Sequence, residues 1–275
     1  MKSKTYVVAW DEVMENCLDI DRQLKKDGLE YVIFDVSNVP VERENWVVAE
    51  KVRYFGHFYN GLKDFVGSDA EIFIFNAGDV YGDCQAEMTR SIEKAMAADP
   101  DIWIMAPNIT NERGPGKDPV PYTAFDHSKK YPNYVLSMHI CGIWVALSRE
   151  LALKIYEYYE WALIRGRMNF EHMISGHGLD CLYAAWALYN GKKIYRDLSF
   201  EVETGDVTSY DTSGARYDYI EVADGFGQFI GSTSGSKSTI KSILAAIQHR
   251  INIKSNIYPL ALGYPYIGDP ERFDY

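Results

Sequence analysis

Cysteine is scarce in this sequence, and long apolar runs are absent. The 275 residues include four cysteines that form no CxxC pair: Cys17, Cys84, Cys141 and Cys181. Their wide spacing is unlike a small disulfide-rich secreted domain and favours free thiols in a reducing compartment. No stretch approaches the roughly 20 apolar residues that span a bilayer, and the apolar run near the N-terminus is too short for a signal peptide. We therefore expect a cytoplasmic protein without a transmembrane segment.

Basic residues are also outnumbered, but the deficit is uneven. Lys and Arg number 28 against 39 Asp and Glu, and the formal net charge of −11 argues against a protein that coats nucleic acid. Residues 225–268, however, contain no Asp or Glu and four cations: Lys237, Lys241, Arg250 and Lys254. This basic stretch carries +4 and the remaining chain −15. It is either an ordinary amphipathic segment or the place where the protein meets an anionic partner.

The first half of the sequence alternates between short apolar runs and amphipathic segments. The pattern predicts strands at residues 6–10, 31–34, 72–75 and 102–105, and helices at 13–24, 45–66 and 86–98. Apolar strands separated by helices are typical of a parallel sheet that is covered by helices on both faces.

The second half is less regular. Residues 108–132 hold four prolines, and we predict that they form one long loop. The pattern beyond them predicts a strand at 135–146, helices at 150–165 and 180–189, a strand at 193–202 and a helix at 238–252. Because the chain has no internal repeat and no low-complexity linker, one continuous domain is the simplest interpretation.

Acidic residues follow three of the predicted strands. Asp11, Asp35 and Asp79 each come directly or shortly after an apolar run, and ligands of open parallel sheets bind beyond the carboxyl ends of the strands. The third strand leads into Asn76-Ala77-Gly78-Asp79, with Asp83 four residues later. Two carboxylates on a glycine-containing turn suit a hard divalent cation. An equally supported interpretation is that one of them caps the next helix.

A second motif opens the predicted helix at 180–189. The sequence Ser175-Gly176-His177-Gly178-Leu179-Asp180 places a carboxylate near the start of an apolar helix, after two glycines that permit a close backbone approach. Asp180 is either a helix cap or a general base that faces a substrate.

Together, these motifs and their order resemble the GT-A class of glycosyltransferases, over roughly residues 5–203. The resemblance implies an α/β GT-A-like single domain whose mostly parallel central sheet carries helices on both faces. Within residues 1–275 it implies a nucleotide-sugar-binding half at 1–107, an acceptor and catalytic half at 108–224, and a basic C-terminal extension at 225–275.

The resemblance also implies roles for individual residues. In place of the family's Asp-x-Asp turn this chain has Ala77-Gly78-Asp79, so that Asp79 and Asp83 are the candidate ligands of a divalent metal, Mn²⁺ or Mg²⁺. Asp180 is the candidate general base of an inverting enzyme, with His177 and Gly178 on the acceptor side. The candidate donor-binding residues are Trp10, Asp11, Asp35, Asn76, Asp79, Arg113 and Lys117, of which Asp35 would contact the nucleotide.

The resemblance favours transfer of a sugar from a nucleotide-sugar donor, most simply a UDP-sugar, to an acceptor hydroxyl on a glycan or small molecule. A modified base in DNA is an alternative acceptor, because compact acidic transferases of this size also resemble phage enzymes that glycosylate DNA bases. A non-catalytic sugar- or nucleic-acid-binding module is the other alternative, supported by the incomplete metal turn. A nucleotidyltransferase is disfavoured, since no glycine or lysine follows the first strand at residues 10–13.

Overall fold

The computed structural model describes residues 1–52, 54–110, 124–128, 131–138, 140, 142–166, 179–205, 225–226 and 228–230. The strands are β1 (Ser3–Ala9), β2 (Glu30–Asp35), β3 (Trp46–Val48), β4 (Ile72–Asn76), β5 (Val80–Tyr81), β6 (Ile102–Thr110), β7 (Ala124–His127), β8 (Tyr134–Ser137), β9 (Trp144–Ser148) and β10 (Lys193–Thr204). The helices are a 3-10 turn (Asp11–Val13), α1 (Met14–Lys26), α2 (Tyr54–Val66), α3 (Gln85–Ala98), α4 (Arg149–Ile164) and α5 (Leu179–Tyr189).

All ten strands join one sheet in the order β3-β2-β1-β4-β9-β6-β10-β8-β7, and β5 pairs with the end of β10. The first four strands in this order are parallel. β9 runs antiparallel between β4 and β6, while β6 and β10 are parallel to each other. Seven strands therefore share one direction and only β5, β8 and β9 oppose it, so that the expected mostly parallel sheet is confirmed.

Helices cover both faces of the sheet, because alternate residues of its central strands are apolar in both directions. Val7 and Ala9 of β1 pack with Cys17 and Leu24 of α1 on one face. Tyr6 and Val8 of the same strand belong to a larger core cluster, to which α2, α4 and α5 contribute.

The prediction of a helix over 45–66 is wrong in its first part. Trp46–Val48 forms the edge strand β3, paired in parallel with β2, and the helix begins only at Tyr54. Two local features explain the difference. Asn45 has a φ of 65°, which a helix does not allow, and the β-branched Val47 and Val48 favour a strand.

Two predictions in the second half are also corrected. The strand expected at 135–146 is two strands, β8 and β9, which lie in different parts of the sheet with Gly142 in the turn before β9. The loop expected at 108–132 is partly regular, since β6 continues to Thr110 and residues 124–127 form β7. A run of apolar residues does not reveal which neighbouring strand each part will join. The helix predicted at 238–252 lies outside the described residues.

Two further expectations concern the thiols and the membrane. Within the described residues, Cys17, Cys84 and Cys181 form no disulfide, and Cys141 is not among the described residues. Of the helices that the structure describes, none combines the length and apolar character that crossing a membrane requires.

Candidate functional site

The sheet reverses its winding between β1 and β4. From β1 the chain adds β2 and then β3 on one side, and it returns to place β4 on the other side of β1. Such a switch point opens a crevice at the carboxyl ends of the two strands, where α/β proteins bind ligands. Trp10 and Asp11 follow β1 at this crevice, and residues 77–79 follow β4.

The turn at residues 76–79 crosses close over the end of β1. Gly78 has a φ of +89°, and a Cβ atom built there would lie 1.8 Å from the carbonyl oxygen of Val8. Only glycine fits this conformation and this approach. Glycine at this position therefore allows the turn that precedes Asp79 to pack directly against β1.

Buried and half-buried polar side chains hold this turn in place. The Asn76 side-chain oxygen accepts a bond from the Gly78 amide at 2.9 Å, and the Asn16 side-chain amide donates to the carbonyls of Gly78 and Val80 at 2.8 and 3.0 Å. Gln85, which is 2% exposed, donates to the Val80 carbonyl at 3.3 Å. Asn76 is itself fully buried. Its side chain therefore supports the turn.

Asp79, which follows β4, is a buried acidic residue. It is 8% exposed, and its Oδ1 atom is buried without a hydrogen-bond partner within the described part of the chain. Burial raises the pKa of this carboxyl to about 6. The backbone around it is fixed, since the Gly205 amide donates to the Asp79 carbonyl at 2.8 Å. A buried carboxylate oxygen without a partner is costly, and such a group at a ligand crevice indicates a binding role.

The donor set fits a cation that is shared with a phosphate ligand. Asp83, the second predicted metal ligand, is exposed just before α3. Among the described residues, no group of three or more His, Cys, Asp and Glu side chains converges on one point. Mg²⁺-type ions in proteins are often held by one or two carboxylates together with substrate phosphates and water. The orphaned oxygen of Asp79 is suited to that arrangement.

Asp35 also lies at this edge, opposite Ala9 in the β1–β2 register. It is 1% exposed, and both of its oxygens accept bonds from the loop that follows it. Ser37 donates to Oδ1 from its amide at 2.9 Å and from its hydroxyl at 2.6 Å, and the Val41 amide donates to Oδ2 at 2.7 Å. Asp35 therefore shapes the β2–β3 loop.

Asp11 and Trp10 border the same loop. The exposed Asp11 carboxylate accepts bonds from the backbone and side-chain amides of Asn38, and the Asn38 side-chain oxygen accepts one from Lys51 at 2.7 Å. Trp10 is half-buried, and its indole Nε1 is buried without a partner among the residues described. Both residues directly follow β1, at its carboxyl end.

Asp180 lies at the same edge of the sheet. The turn after α5 leads into β10, whose first residue Lys193 is opposite Ile102, the first residue of β6. α5 therefore runs from the carboxyl edge to the amino edge, and its first turn carries Asp180 at the carboxyl edge. The side chain is half-buried, and its Oδ1 accepts a bond from the Cys181 amide at 2.8 Å. His177, Gly178, Arg113 and Lys117 lie outside the described residues.

The structure adds residues that the sequence did not indicate. Besides Asn16 and Gln85, the fully buried thiol of Cys17 lies beneath the turn, 3.8 Å from the Gly78 carbonyl oxygen. Burial, together with the nearby charges of Asp79 and Asp35, raises the pKa of this thiol. Cys17 and Asn16 lie in α1, sixty residues from the turn, and nothing in their local pattern predicted the contact.

Comparison with known proteins gives the fold. No protein-family model and no curated protein sequence matches the chain. Among solved structures, GalNAc-T7 with UDP, GalNAc and Mn²⁺ has a TM-score of 0.59 at 12% identity, over 96% of this chain and 58% of that protein. The chain thus spans less than two thirds of that protein's length.

Two further structures are more distant. UDP-glucose pyrophosphorylase complexed with UDP-glucose has a TM-score of 0.43 at 11% identity, over 85% of this chain and all of that one. A glycosyltransferase involved in glycosylation of the major capsid of PBCV-1 has a TM-score of 0.31 at 12% identity, over 57% and 66% of the two chains. The similarity to GalNAc-T7 is the informative one, and it shows that this chain has the GT-A-like α/β fold that its sequence predicts.

Proposed function

We propose that the protein is a glycosyltransferase that binds a nucleotide-sugar donor, most simply a UDP-sugar, at the switch point between β1 and β4. The observation that carries this proposal is Asp79, a buried carboxylate with an unpartnered oxygen at the end of β4. The GT-A-like fold and the UDP and Mn²⁺ in the GalNAc-T7 structure support it.

In this proposal Asp79 holds a divalent cation, Mn²⁺ or Mg²⁺, together with the donor diphosphate. When bound, the cation offsets the negative charge that develops on the departing diphosphate. The Gly78 turn keeps Asp79 in place, because its backbone is pressed against β1 and bonded to Asn16 and Asn76. Asp83 is exposed shortly after β5 and is the candidate for a second contact, direct or through water.

Asp180 is the proposed general base of an inverting transfer. It accepts the proton of the acceptor hydroxyl as that oxygen attacks the anomeric carbon and the bond to the diphosphate breaks. Its place at the start of α5, on the same edge of the sheet as Asp79, supports this role. Trp10 and Asp11 form the wall of the donor crevice, and Asp35 supports that wall by fixing the β2–β3 loop.

A donor-hydrolysis assay tests the proposal against a non-catalytic binding module on the same fold. The protein is incubated with UDP-glucose, UDP-galactose, UDP-GlcNAc and UDP-GalNAc, each with and without MnCl₂ or MgCl₂, and release of UDP is measured. We expect slow, cation-dependent release from one of these donors. Cation-dependent binding of UDP without any release would favour the binding module, and the absence of both would refute the donor site.

A modified base in DNA remains a second candidate acceptor beside a glycan or small molecule. The observation that favours it concerns only the start of the basic stretch: Phe226 is fully buried against Tyr158 of α4 and Trp186 of α5. This contact places the start of the stretch against two helices of the proposed acceptor half, and the four cations lie outside the described residues.

The DNA proposal predicts a weak and salt-dependent contact. Four cations would give a slope of log K against log salt no steeper than about −4, since each neutralised phosphate contributes roughly −0.9. The measurement is binding to duplex DNA with and without hydroxymethylated cytosine from 50 to 200 mM salt. Transfer to the modified duplex would support this acceptor, and salt-independent or undetectable binding would exclude it.

A further inference from the structure

We propose that Tyr183 and Tyr54 are positioning residues that set the spacing between the Asp79 turn and Asp180. They act through the segment just before β9, represented by Ile140, Gly142 and Ile143 and here called the pre-β9 segment. This inference rests on the proposed function.

Three elements donate hydrogen bonds to the pre-β9 segment. The Tyr183 hydroxyl of α5 donates to the Ile140 carbonyl at 2.8 Å, and the Tyr54 hydroxyl of α2 donates to the Gly142 carbonyl at 2.6 Å. The Ala77 amide, in the turn after β4, donates to the Ile143 carbonyl at 2.7 Å. The segment is therefore bonded to both proposed catalytic elements and to α2, which precedes β4 in the sequence.

The convergence leaves little free space. A Cβ atom at Gly142 would lie 2.0 Å from the Tyr54 hydroxyl and 3.5 Å from the Tyr183 hydroxyl. Ile140 and Tyr183 are fully buried, so that water cannot readily replace a lost hydroxyl at the Ile140 carbonyl. The side chains that meet here have one arrangement available, as close-packed interiors generally do.

The same bonds connect the two proposed catalytic carboxylates. Asp180 is three residues before Tyr183 and therefore on the same side of α5, one turn closer to the crevice. Ala77 is two residues before Asp79. A displacement of α5 relative to the pre-β9 segment would change the distance between Asp180 and the donor without altering Asp79. Misplacement of a reacting group by about 1 Å can lower a rate about 100-fold.

The test removes one hydroxyl and compares catalysis with binding. Tyr183→Phe is assayed with the UDP-sugar that the wild type hydrolyses fastest, and the Kd for UDP with Mn²⁺ is measured in parallel. The matched control is Tyr6→Phe, because the Tyr6 ring is also fully buried and its hydroxyl donates a hydrogen bond to Asp64. Tyr6 lies in β1 and Asp64 in α2, and this pair is away from the crevice. We expect kcat to fall by about 10-fold or more in Tyr183→Phe, with KM and the UDP Kd within about twofold of wild type.

The possible outcomes distinguish a failure of the positioning role from a failure of the proposed glycosyltransferase function. A kcat for Tyr183→Phe equal to that of Tyr6→Phe would overturn the positioning role while leaving the glycosyltransferase proposal intact. A wild type that neither hydrolyses the UDP-sugars nor binds UDP would overturn both. If Tyr183→Phe does not fold, Tyr54→Phe is the second variant, because it removes the neighbouring hydroxyl from α2. We expect the same loss of kcat at constant KM in Tyr54→Phe. An unchanged kcat in that variant would refute the inference.

Discussion

At the scale of single residues, the candidate site depends on Asp79, a buried carboxyl group whose charged form destabilises the folded protein. Asp79 has a pKa of about 6 because burial disfavours its charged form, compared with 3.8 for an ordinary aspartate. The folded protein therefore holds this proton more tightly than the unfolded chain does. The resulting loss of stability begins as the pH rises above about 4, grows to about pH 6 and persists above it.

Asp79→Asn should consequently stabilise the unliganded protein at neutral and alkaline pH. We expect the free energy of unfolding to rise by about 1–3 kcal/mol at pH 8, and by much less at pH 4, where the wild-type carboxyl is protonated. Urea unfolding at the two pH values measures the difference. Asp83→Asn removes the same charge from an exposed position and should show no such pH-dependent gain; equal gains in both variants would contradict the assignment.

The role of Asp35 shows what sequence reasoning misses at this scale. The sequence locates it correctly at the end of β2, where an acid could meet a nucleotide. Its carboxylate also accepts three bonds from Ser37 and Val41, a contact with its own loop that the sequence did not indicate. Such bonds depend on how the loop turns back on itself, and the order of residues in the loop does not specify that path.

At the scale of elements, the turn after β4 positions Asp79. Gly78→Ala should cost more than about 3 kcal/mol, because the new Cβ would meet the Val8 carbonyl oxygen at 1.8 Å and the φ is +89°. Gly28→Ala is the matched control, since its φ is +62° but nothing lies within 4 Å of the added Cβ. That substitution should cost about 1 kcal/mol. Thermal or urea unfolding compares them, and similar costs would mean that the contact with β1 is unimportant.

Helices with a strong apolar pattern were predictable from the sequence. Strands that are defined by the neighbouring strand with which they pair were not. α1, α3, α4 and α5 begin and end close to the predicted residues, because their apolar positions recur at helical spacing. β3 and β9 were misjudged or merged with neighbours. A three-residue edge strand and an antiparallel insertion are defined by the strands they pair with, and this information is not local.

At the scale of the whole molecule, the fold brings two distant carboxylates to one edge of a sheet. Asp79 and Asp180 are about a hundred residues apart in the sequence. Asp79 follows the end of β4 and Asp180 lies in the first turn of α5, and both of these ends are at the carboxyl edge of the sheet. The class of fold was predictable from motif order. The buried contacts of Cys17, Asn16 and Tyr183 that support these two carboxylates depend on the packing of helices against the sheet.

The proposed base gives a prediction at this scale. Asp180→Asn should lower the kcat for donor hydrolysis by about 100-fold or more, because no carboxylate then accepts the proton of the attacking oxygen. The Kd for UDP with Mn²⁺ should remain unchanged. Glu201→Gln, an exposed carboxylate of β10, is the control and should leave both quantities unaltered. Near-normal hydrolysis by Asp180→Asn would rule out its role as the base.

The central claim, that Asp79 holds a cation together with the donor diphosphate, is tested most directly by calorimetric titration of UDP with and without MnCl₂ at pH 8 and pH 5. Wild type should bind UDP more tightly with Mn²⁺ at pH 8 and lose most of that gain at pH 5, where Asp79 is largely protonated. Asp79→Asn should show no increase in UDP affinity with Mn²⁺ at either pH. The same variant measures how much of the pH dependence comes from protonation of UDP itself. An Mn²⁺-dependent affinity in Asp79→Asn equal to that of wild type would contradict the account.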